Sequence, residues 1–184
     1  AAMASNDTAE DHALDTMRAG AGTVDAAVAR MVTADARAHI LDLTGLGTPF
    51  DRDAAGGYVM SREAAHSRPR VVRVKGDQAG REIMASLIAE LRRTPSITVA
   101  EGLEAIGLEV SGDRVTGVQV MGADGSSAPV VLRGAAVLLA GGGSGGLYAL
   151  TTNPPRIRGQ VIGMAARAGA IIGACSAPSH PPRR

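Results

Sequence analysis

The chain has 184 residues, of which 45% are apolar and 20% are charged, and its formal net charge is +1. This composition is typical of a globular protein with a hydrophobic core, and the length indicates one ordinary domain or slightly more. A nearly neutral chain has no general electrostatic attraction for nucleic acid, and aromatic residues at 2% provide no stacking surface for single strands. We therefore predict a protein that does not bind nucleic acid.

The same sequence bears on the location of the protein. No apolar segment approaches the length of a membrane span, and the amino terminus lacks the charged and apolar regions of a signal peptide. Cys175 is the single cysteine, which excludes an internal disulfide and leaves no cysteine cluster for a metal. These features predict a soluble, cytoplasmic protein without a metal site. Because the first residue is Ala1 rather than Met, we also expect the sequence to begin inside a longer chain.

Two helices are predicted near the amino terminus. Thr8 precedes Asp11 by three positions, which is typical of a helix cap, and a short helix to about Arg18 should follow. Thr23 is expected to cap a longer helix that ends at Gly45. The apolar side chains of this second helix fall on one stripe, formed by Val24, Val28, Val32, Ile40 and Leu43.

The next segment mixes glycine, proline and charge. Residues 49–73 show neither helical nor strand periodicity and are predicted to form turns and short extended pieces. The apolar spacing over residues 83–91 predicts a third helix, which should end before Thr94 because Pro95 disfavours helix in the residue ahead of it. Residues 97–99 are a β-branched run and are predicted to be a short strand.

Three further strands are predicted over residues 105–110, 115–120 and 130–132. Turn residues separate them at positions 111–113 and 124–126. Connections this short join antiparallel neighbours, so the three strands should form a meander.

A continuously apolar run over residues 136–140 predicts a buried strand that leads directly into a glycine-rich loop, residues 141–146. Glycines in this position let backbone N–H groups approach a phosphate or a flat ring. The loop lacks the Gly-Lys-Ser/Thr ending of a P-loop, and without further context a run of glycines is more often a flexible tight turn. A short helix is predicted over residues 162–168.

Longer strings around this loop provide the context. Residues 139–154 read Leu-Ala-Gly-Gly-Gly-Ser-Gly-Gly-Leu-Tyr-Ala-Leu-Thr-Thr-Asn-Pro. This string resembles the Ala-Thr-Gly-Gly-x-Gly-x-x-Tyr-x-x-Thr-Thr-Asn-Pro motif of the L-aspartate oxidases. Residues 62–67, Arg-Glu-Ala-Ala-His-Ser, resemble the Arg-Glu-Gly-Gly-His-Ser segment of that family, and residues 49–52 resemble the element before it. Residues 1–22 resemble the stretch that follows the family's first nucleotide-binding unit.

The resemblance implies an α/β fold of the succinate dehydrogenase and fumarate reductase flavoprotein group. The expected architecture is a partial FAD-binding Rossmann-like domain with an inserted three-stranded antiparallel β-meander. We assign this domain to residues 1–172, which lack the family's N-terminal Gly-x-Gly-x-x-Gly unit and its capping domain. Residues 173–184 depart from the family's Glu-Phe-x-Gln-Phe-His-Pro-Thr continuation. They are interpreted as a divergent tail, in which residues 174–179 could be a frame-shifted translation.

The resemblance also implies a reaction and its residues. In this family L-aspartate loses a hydride to FAD and becomes iminoaspartate, the first step of bacterial NAD biosynthesis. The substrate would be L-aspartate or a related dicarboxylate. Glu63 matches the family's active-site glutamate, which would contact the substrate amine, and His66 is a second substrate-side candidate. The residues that would bind the cofactor are Ala140, Gly141, Gly142, Gly143, Tyr148, Thr152 and Asn153.

Several alternatives stay open at this stage. Arg68 and Arg70 could bind substrate carboxylates through paired hydrogen bonds, yet arginine-rich loops are more often a solvated surface. Glu63 could equally be a surface carboxylate, and a lone histidine such as His66 is usually structural. The alternatives to an aspartate oxidase are a fumarate reductase or succinate dehydrogenase flavoprotein, or a non-catalytic remnant of one of these proteins.

The sequence also departs from the family pattern at positions close to the expected cofactor site. Gly141 stands where the family has Thr or Ser, and Gly107 stands where Asp is common. Residues 158–161 replace Thr-Gly-Asp-Gly, so that Val161 occupies a glycine position. We therefore expect FAD binding to be weakened and the isolated chain to be inactive.

Overall fold

A computed structural model describes residues 1–172 of the chain. The chain divides between Thr98 and Val99 into two units. The first unit is mainly helical, whereas the second is built on an antiparallel sheet. The tail over residues 173–184, including the segment interpreted as frame-shifted, lies outside the described residues.

The first unit begins with two packed helices, α1 (Ala9–Ala19) and α2 (Ala26–Gly45). The predicted cap of α1 is confirmed, because the Thr8 hydroxyl accepts the N–H of Asp11 at 3.0 Å. The predicted cap of α2 is wrong. Asp25 caps that helix by accepting the N–H groups of two residues in its first turn, and the hydroxyl of Thr23 instead donates to the Gly20 carbonyl.

The buried face of α2 differs in part from the predicted stripe. Ala29 and Thr33 are the buried residues, whereas Val28 and Val32 are 51% and 57% exposed. Small side chains allow close approach of helices, and the Thr33 hydroxyl is satisfied because it donates to the Ala29 carbonyl at 2.9 Å. The carboxyl-terminal part of the stripe is correct, because Ile40 and Leu43 pack against the core of the unit.

That core consists of Phe50, Val72 and Val74. It lies beside a short antiparallel pair, β1 (Met60–Ser61) and β2 (Val71–Val72). The prediction of turns and short extended pieces for residues 49–73 is thus confirmed. The third helix, α3 (Ala79–Arg93), is also confirmed, and it ends before Thr94 as expected.

The second unit contains the predicted meander. Its strands are β3 (Leu103–Ser111), β4 (Arg114–Gly122) and β5 (Val130–Arg133), and they pair antiparallel in chain order. Gly112 and Gly125 adopt positive φ angles of 63° and 73° in the two turns, a region that glycine enters without strain.

Two predicted strands do not form. Residues 97–99 and 136–140 have no strand structure, and within the second of these segments Leu138 is 91% exposed. A strand requires a partner for its backbone N–H and C=O groups, and no segment within residues 1–172 pairs with either run. Apolar composition alone therefore gave a wrong prediction for both segments.

The second unit ends with a single 3-10 turn (Gly145–Leu147) and the helix α4 (Gln160–Arg167), close to the predicted bounds of 162–168. Helix α4 packs on β3 and buries Met164. Within residues 1–172, no helix combines the length and apolar character needed to cross a membrane.

Candidate functional site

A buried ion-pair network ties the start of the first unit to its loop after β1. The Arg70 side chain is fully buried, and its Nε and Nη2 atoms donate to the two carboxylate oxygens of Asp7, each at 2.7 Å. A further nitrogen, Nη1, donates to Asp15. All three donor nitrogens are engaged, so Arg70 is unavailable to a dicarboxylate, and the sequence-based suggestion that it binds substrate is wrong.

Asp15 is the centre of this network. One of its oxygens accepts both the hydroxyl and the N–H of Ser67, each at 2.6 Å, in addition to Arg70. The two hydrogen bonds from Ser67, followed by the bond and charge of Arg70, hold the pKa of Asp15 far below its usual range. Burial would raise the pKa of Asp7, but the hydrogen bonds and charge of Arg70 outweigh burial and lower it. Both carboxylates are therefore ionised at neutral pH.

The network fixes the loop that carries the predicted substrate-side residues. Within this loop the N–H of His66 donates to the Glu63 carbonyl at 3.0 Å, and Nε of Arg62 donates to the His66 carbonyl at 2.9 Å. Ser67, the next residue, is anchored to Asp15. Hydrogen bonds within the turn therefore fix its backbone, and the bonds from Ser67 to Asp15 fix its carboxyl-terminal end.

An open cleft of about 350 Å³ lies between this turn and the end of α1. Arg18, Arg62 and His66 line it, together with Ser67 and small alanines. No carboxylate belongs to the lining, although Nη1 of the exposed Arg18 donates to Oδ1 of Asp15 at 3.1 Å. Such a cleft is suited to anions. Glu63 is exposed and lies outside the lining, so the structure brings His66 to the cleft but not Glu63.

The ring of His66 also lies beside that of His12, with a centroid distance of 5.3 Å. Nδ1 of His12 is buried and has no hydrogen-bond partner within residues 1–172. Burial, followed by the positive charges of the amino terminus and Arg70, lowers the pKa of His12. The folded unit therefore favours the neutral form of His12.

The glycine-rich loop of the second unit is folded against the segment that precedes α4. The N–H of Gly146 donates to the Ile157 carbonyl at 2.7 Å, and the N–H of Gly159 donates to the Gly143 carbonyl at 2.9 Å. Two hydrogen bonds thus fasten the loop to residues 157–159.

Much of the glycine content is required by this close approach. A Cβ atom at Gly145 would lie 2.5 Å from the side chain of Asn153, and one at Gly146 would lie 2.7 Å from the carbonyl oxygens of Pro155 and Ile157. Such distances are far inside van der Waals contact. These two glycines are explained by packing within the chain, without any ligand.

Gly143 differs from the other glycines of the loop. A Cβ atom there would meet nothing within 4 Å, and its φ angle does not require glycine. The exposed residues Ala140, Tyr148, Thr152 and Asn153 lie in the same segment of the second unit. The predicted cofactor residues therefore belong to the second unit, whereas Glu63 and His66 belong to the first. Within residues 1–172, no cluster of His, Cys, Asp or Glu side chains could hold a metal ion.

Comparison with known proteins decides the family. The family described as "FAD binding domain" matches the chain over residues 1–184. The chain belongs to this family. FAD is accordingly the cofactor of the parent family, and the resemblance to L-aspartate oxidases is confirmed by individual relatives. The L-aspartate oxidase of Caulobacter vibrioides is 48% identical over 173 residues, and that of Agrobacterium fabrum is 44% identical over 172 residues.

These relatives are much longer than the chain. The aligned residues are 94% of this chain but only 33% and 32% of the two relatives. The chain thus spans about a third of the length of the FAD-binding domain relatives that it matches.

Solved structures confirm the fold class. Sdh1 of Mycobacterium smegmatis in complex with UQ1 superposes with a TM-score of 0.82 at 26% identity, over 91% of this chain and 30% of that chain. The FrdA subunit of E. coli quinol fumarate reductase superposes with a TM-score of 0.83 at 23% identity, over 89% of this chain and 28% of that chain. The fold is therefore the α/β flavoprotein fold predicted from the sequence.

The sequence did not reveal the roles of Asp7, Asp15 and Ser67. These residues are far apart in the chain, since Asp15 and Ser67 are separated by 52 positions. Ala13 is the other buried residue of α1, but a spacing of two places the two residues on different sides of the helix, so no helical stripe identified Asp15 as buried. A buried carboxylate requires a partner, and Arg70 is that partner.

Proposed function

We propose that this chain serves the FAD-dependent oxidation of L-aspartate to iminoaspartate, the first step of NAD biosynthesis, by providing part of an FAD-binding domain. The observation that carries the proposal is the identity of 48% and 44% to two L-aspartate oxidases over 94% of the chain. Structural likeness to succinate dehydrogenase and fumarate reductase proteins supports the fold but not a particular substrate. NAD biosynthesis from L-aspartate would place the protein in the cytoplasm.

The glycine loop fits a flavin. Because packing within the chain does not require glycine at position 143, the space beside Gly143 is available to a flat ring. A Cβ atom there would occupy that space. Backbone N–H groups of residues 140–143 would hold the cofactor, with Tyr148, Thr152 and Asn153 beside them. FAD would supply the acceptor of the substrate hydride.

The loop after β1 would serve the substrate. His66 and the guanidinium groups of Arg18 and Arg62 face one cleft, where they would attract the carboxylates of L-aspartate or a related dicarboxylate. Glu63 remains the candidate for contact with the substrate amine, and its exposed side chain is free to turn toward a bound ligand. Asp15 and Ser67 would act indirectly, because they hold the turn in place.

We also propose that residues 1–172 are the part of the chain that belongs to the FAD-binding domain and that residues 173–184 form a divergent tail. Residues 141–146 match the letters of Gly-x-Gly-x-x-Gly, but they run into a 3-10 turn and not an α-helix, so they do not hold a pyrophosphate at a helix amino terminus. Flavin binding by the 184-residue chain would therefore be weak and readily reversible. It would be measurable by titration but lost during purification.

The experiment is a titration of the chain with FAD, followed by flavin fluorescence, for the wild type, Gly143→Ala and Gly80→Ala. A methyl group at position 143 would intrude on the flavin, and overpacking of about 1–3 kcal/mol corresponds to a loss of affinity of roughly 5- to 140-fold. Gly80→Ala is the matched control, because its Cβ also meets nothing within 4 Å but lies in α3. Equal affinities for the three proteins, or no binding at all, would contradict the proposed role of the loop.

A further inference from the structure

Gly141 and Val161 make the tightest glycine contact of the second unit. A Cβ atom on Gly141 would lie 1.9 Å from Cγ2 and 3.1 Å from Cβ of Val161. Atoms of two side chains cannot approach to 1.9 Å, so the Val161 side chain occupies the space that any residue other than glycine would need at position 141. These are also two of the positions at which the sequence departs from the L-aspartate oxidase pattern.

The valine cannot easily move away. Val161 is the second residue of α4 and is partly buried. Rotation about χ1 could move Cγ2 but not Cβ, which would still lie 3.1 Å from a Cβ atom at position 141. The Cβ atom of Val161 moves only with the backbone of α4, and α4 is packed on β3. The position of the Val161 side chain is therefore set by the sheet and the helix rather than by the loop.

Gly141, the first residue of the loop, thus lies against Val161, and the next two residues are also held by contacts. Gly142 has a φ angle of +80° and its Cβ position lies 3.1 Å from Ile157. Gly143 is held by its carbonyl, which accepts the N–H of Gly159. The route of the loop is determined at successive residues by side chains and backbone of the segment that leads into α4.

We propose that Val161 is a positioning residue for the cofactor loop. Gly141 and Val161 then form one packing unit, in which the Val161 side chain fills the space that a side chain at position 141 would need. This inference deepens the proposed function, on which its relevance to FAD rests. The two departures from the family pattern are then not independent losses. A valine at position 161 is accommodated because position 141 has no side chain, and the loop remains seated on α4.

The test is a double-mutant cycle on the 184-residue chain with Gly141→Ala, Val161→Ala and the double variant, measured as melting temperatures. Gly141→Ala should lower the melting temperature by about 5 °C or more, because overpacking destabilises and a small unit responds with shifts of this size. Val161→Ala removes the clashing methyl groups, so the double variant should melt above Gly141→Ala alone. A double variant that melts at or below Gly141→Ala would overturn the proposal.

Gly143→Ala is the matched control in the same loop, because its new methyl group meets nothing within 4 Å. It should melt within about 2 °C of the wild type, as expected for a substitution without a clash. If Gly141→Ala does not fold well enough to melt, the readout is the soluble yield, which Val161→Ala should restore, and failure to restore it would count against the proposal.

The same proteins separate this inference from the proposed function. FAD titration of the double variant reports on the cofactor role, whereas the melting cycle reports only on packing. If the two substitutions have non-additive effects on the melting temperature but no flavin binds, the packing unit stands and the cofactor role is rejected. If the changes in melting temperature are additive and flavin binds at Gly143, the packing unit is rejected and the cofactor role stands.

Discussion

At the scale of single residues, the first unit depends on Arg70 and the two carboxylates it joins. A buried arginine with two buried aspartates is stable only while every partner is present, because an unpaired charge in the interior loses its hydration without compensation. The geometry is bidentate at Asp7 and single at Asp15, so lysine could not reproduce it. Arg70 therefore stabilises the loop that carries the candidate site residues and is not itself a substrate-binding residue.

We expect Arg70→Leu to lower the free energy of unfolding by about 3–5 kcal/mol, the effect of breaking a buried ion pair by removing one partner. Urea titration followed by circular dichroism would measure it. Arg68→Ala is the control, because Arg68 is partly exposed and lies 3.9 Å from Asp7, and such pairs contribute at most about 1 kcal/mol. Similar effects for both substitutions would show that the network does not support the unit.

His12 and the aspartates make the stability of the first unit depend on pH. The pKa of His12 is lowered in the fold, so the unfolded chain binds a proton first and stability falls as the pH decreases below about 6.5. The lowered pKa values of Asp7 and Asp15 add a second loss below about pH 4, where the unfolded carboxylates become protonated.

We predict that His12→Gln removes the loss that begins below about pH 6.5 and keeps the further loss below about pH 4. Urea titrations at a series of pH values would separate the two ranges. The groups that surround His12 are the amino terminus, Arg70, His66 and Asp7, and all of them are retained in this variant. An unchanged slope between pH 6.5 and 5 would show that His12 is not the group responsible.

At the scale of elements, the meander shows where glycine is needed in a strand. A Cβ atom at Gly117 of β4 would lie 2.6 Å from the Leu132 carbonyl oxygen and 3.0 Å from Val131. The backbone of β5 cannot retreat without loss of its pairing with β4. At Gly107 of β3 the nearest atom is instead Oε1 of Gln119, at 3.0 Å, at the end of a flexible side chain.

Gly117→Ala should therefore lower the free energy of unfolding by about 1–3 kcal/mol, the range for overpacking. Gly107→Ala is the matched control and should change it by no more than about 0.5 kcal/mol, because Gln119 can move aside. Thermal unfolding followed by circular dichroism would compare the two variants. An equal loss for both would show that contact with the β5 backbone is not the cause.

The elements that were predicted correctly are those with local determinants. The cap at Thr8 and the turns at Gly112 and Gly125 depend on neighbouring residues only. The strand predicted over residues 136–140 failed because its formation depends on a partner strand, which no local pattern reveals. The prediction of the α2 cap failed because two possible capping residues, Thr23 and Asp25, lie two positions apart, and it is the carboxylate of Asp25 that accepts two N–H groups.

The candidate site was predictable to a similar degree. The motif around Glu63 and His66 placed both residues on one turn, as the structure shows. The hydrogen bonds and ion pairs that hold this turn could not be found from the sequence, because they join residues 52 to 63 positions apart. The contact between Gly141 and Val161 was likewise hidden, since the sequence shows two separate departures and only the fold brings them together.

At the scale of the whole molecule, the chain spans about a third of the length of its L-aspartate oxidase relatives. We predict that the purified 184-residue chain retains no flavin absorbance and does not oxidise L-aspartate. The reason is that pyrophosphate recognition by a glycine-rich helix amino terminus is a large part of dinucleotide affinity, and the Gly-x-Gly-x-x-Gly match at residues 141–146 runs into a 3-10 turn rather than an α-helix. A yellow preparation that bleaches on addition of L-aspartate would contradict this prediction.

The central claim is that the second unit carries a flavin-binding loop whose open position is Gly143. The most direct test is a titration of the ¹⁵N-labelled chain with riboflavin, followed by the amide shifts of the loop. Riboflavin avoids the pyrophosphate that the chain has no element to hold. The account predicts saturable shifts at the amides of residues 141–143 that are weakened by Gly143→Ala. An absence of shifts, or shifts confined to residues 1–98, would contradict it.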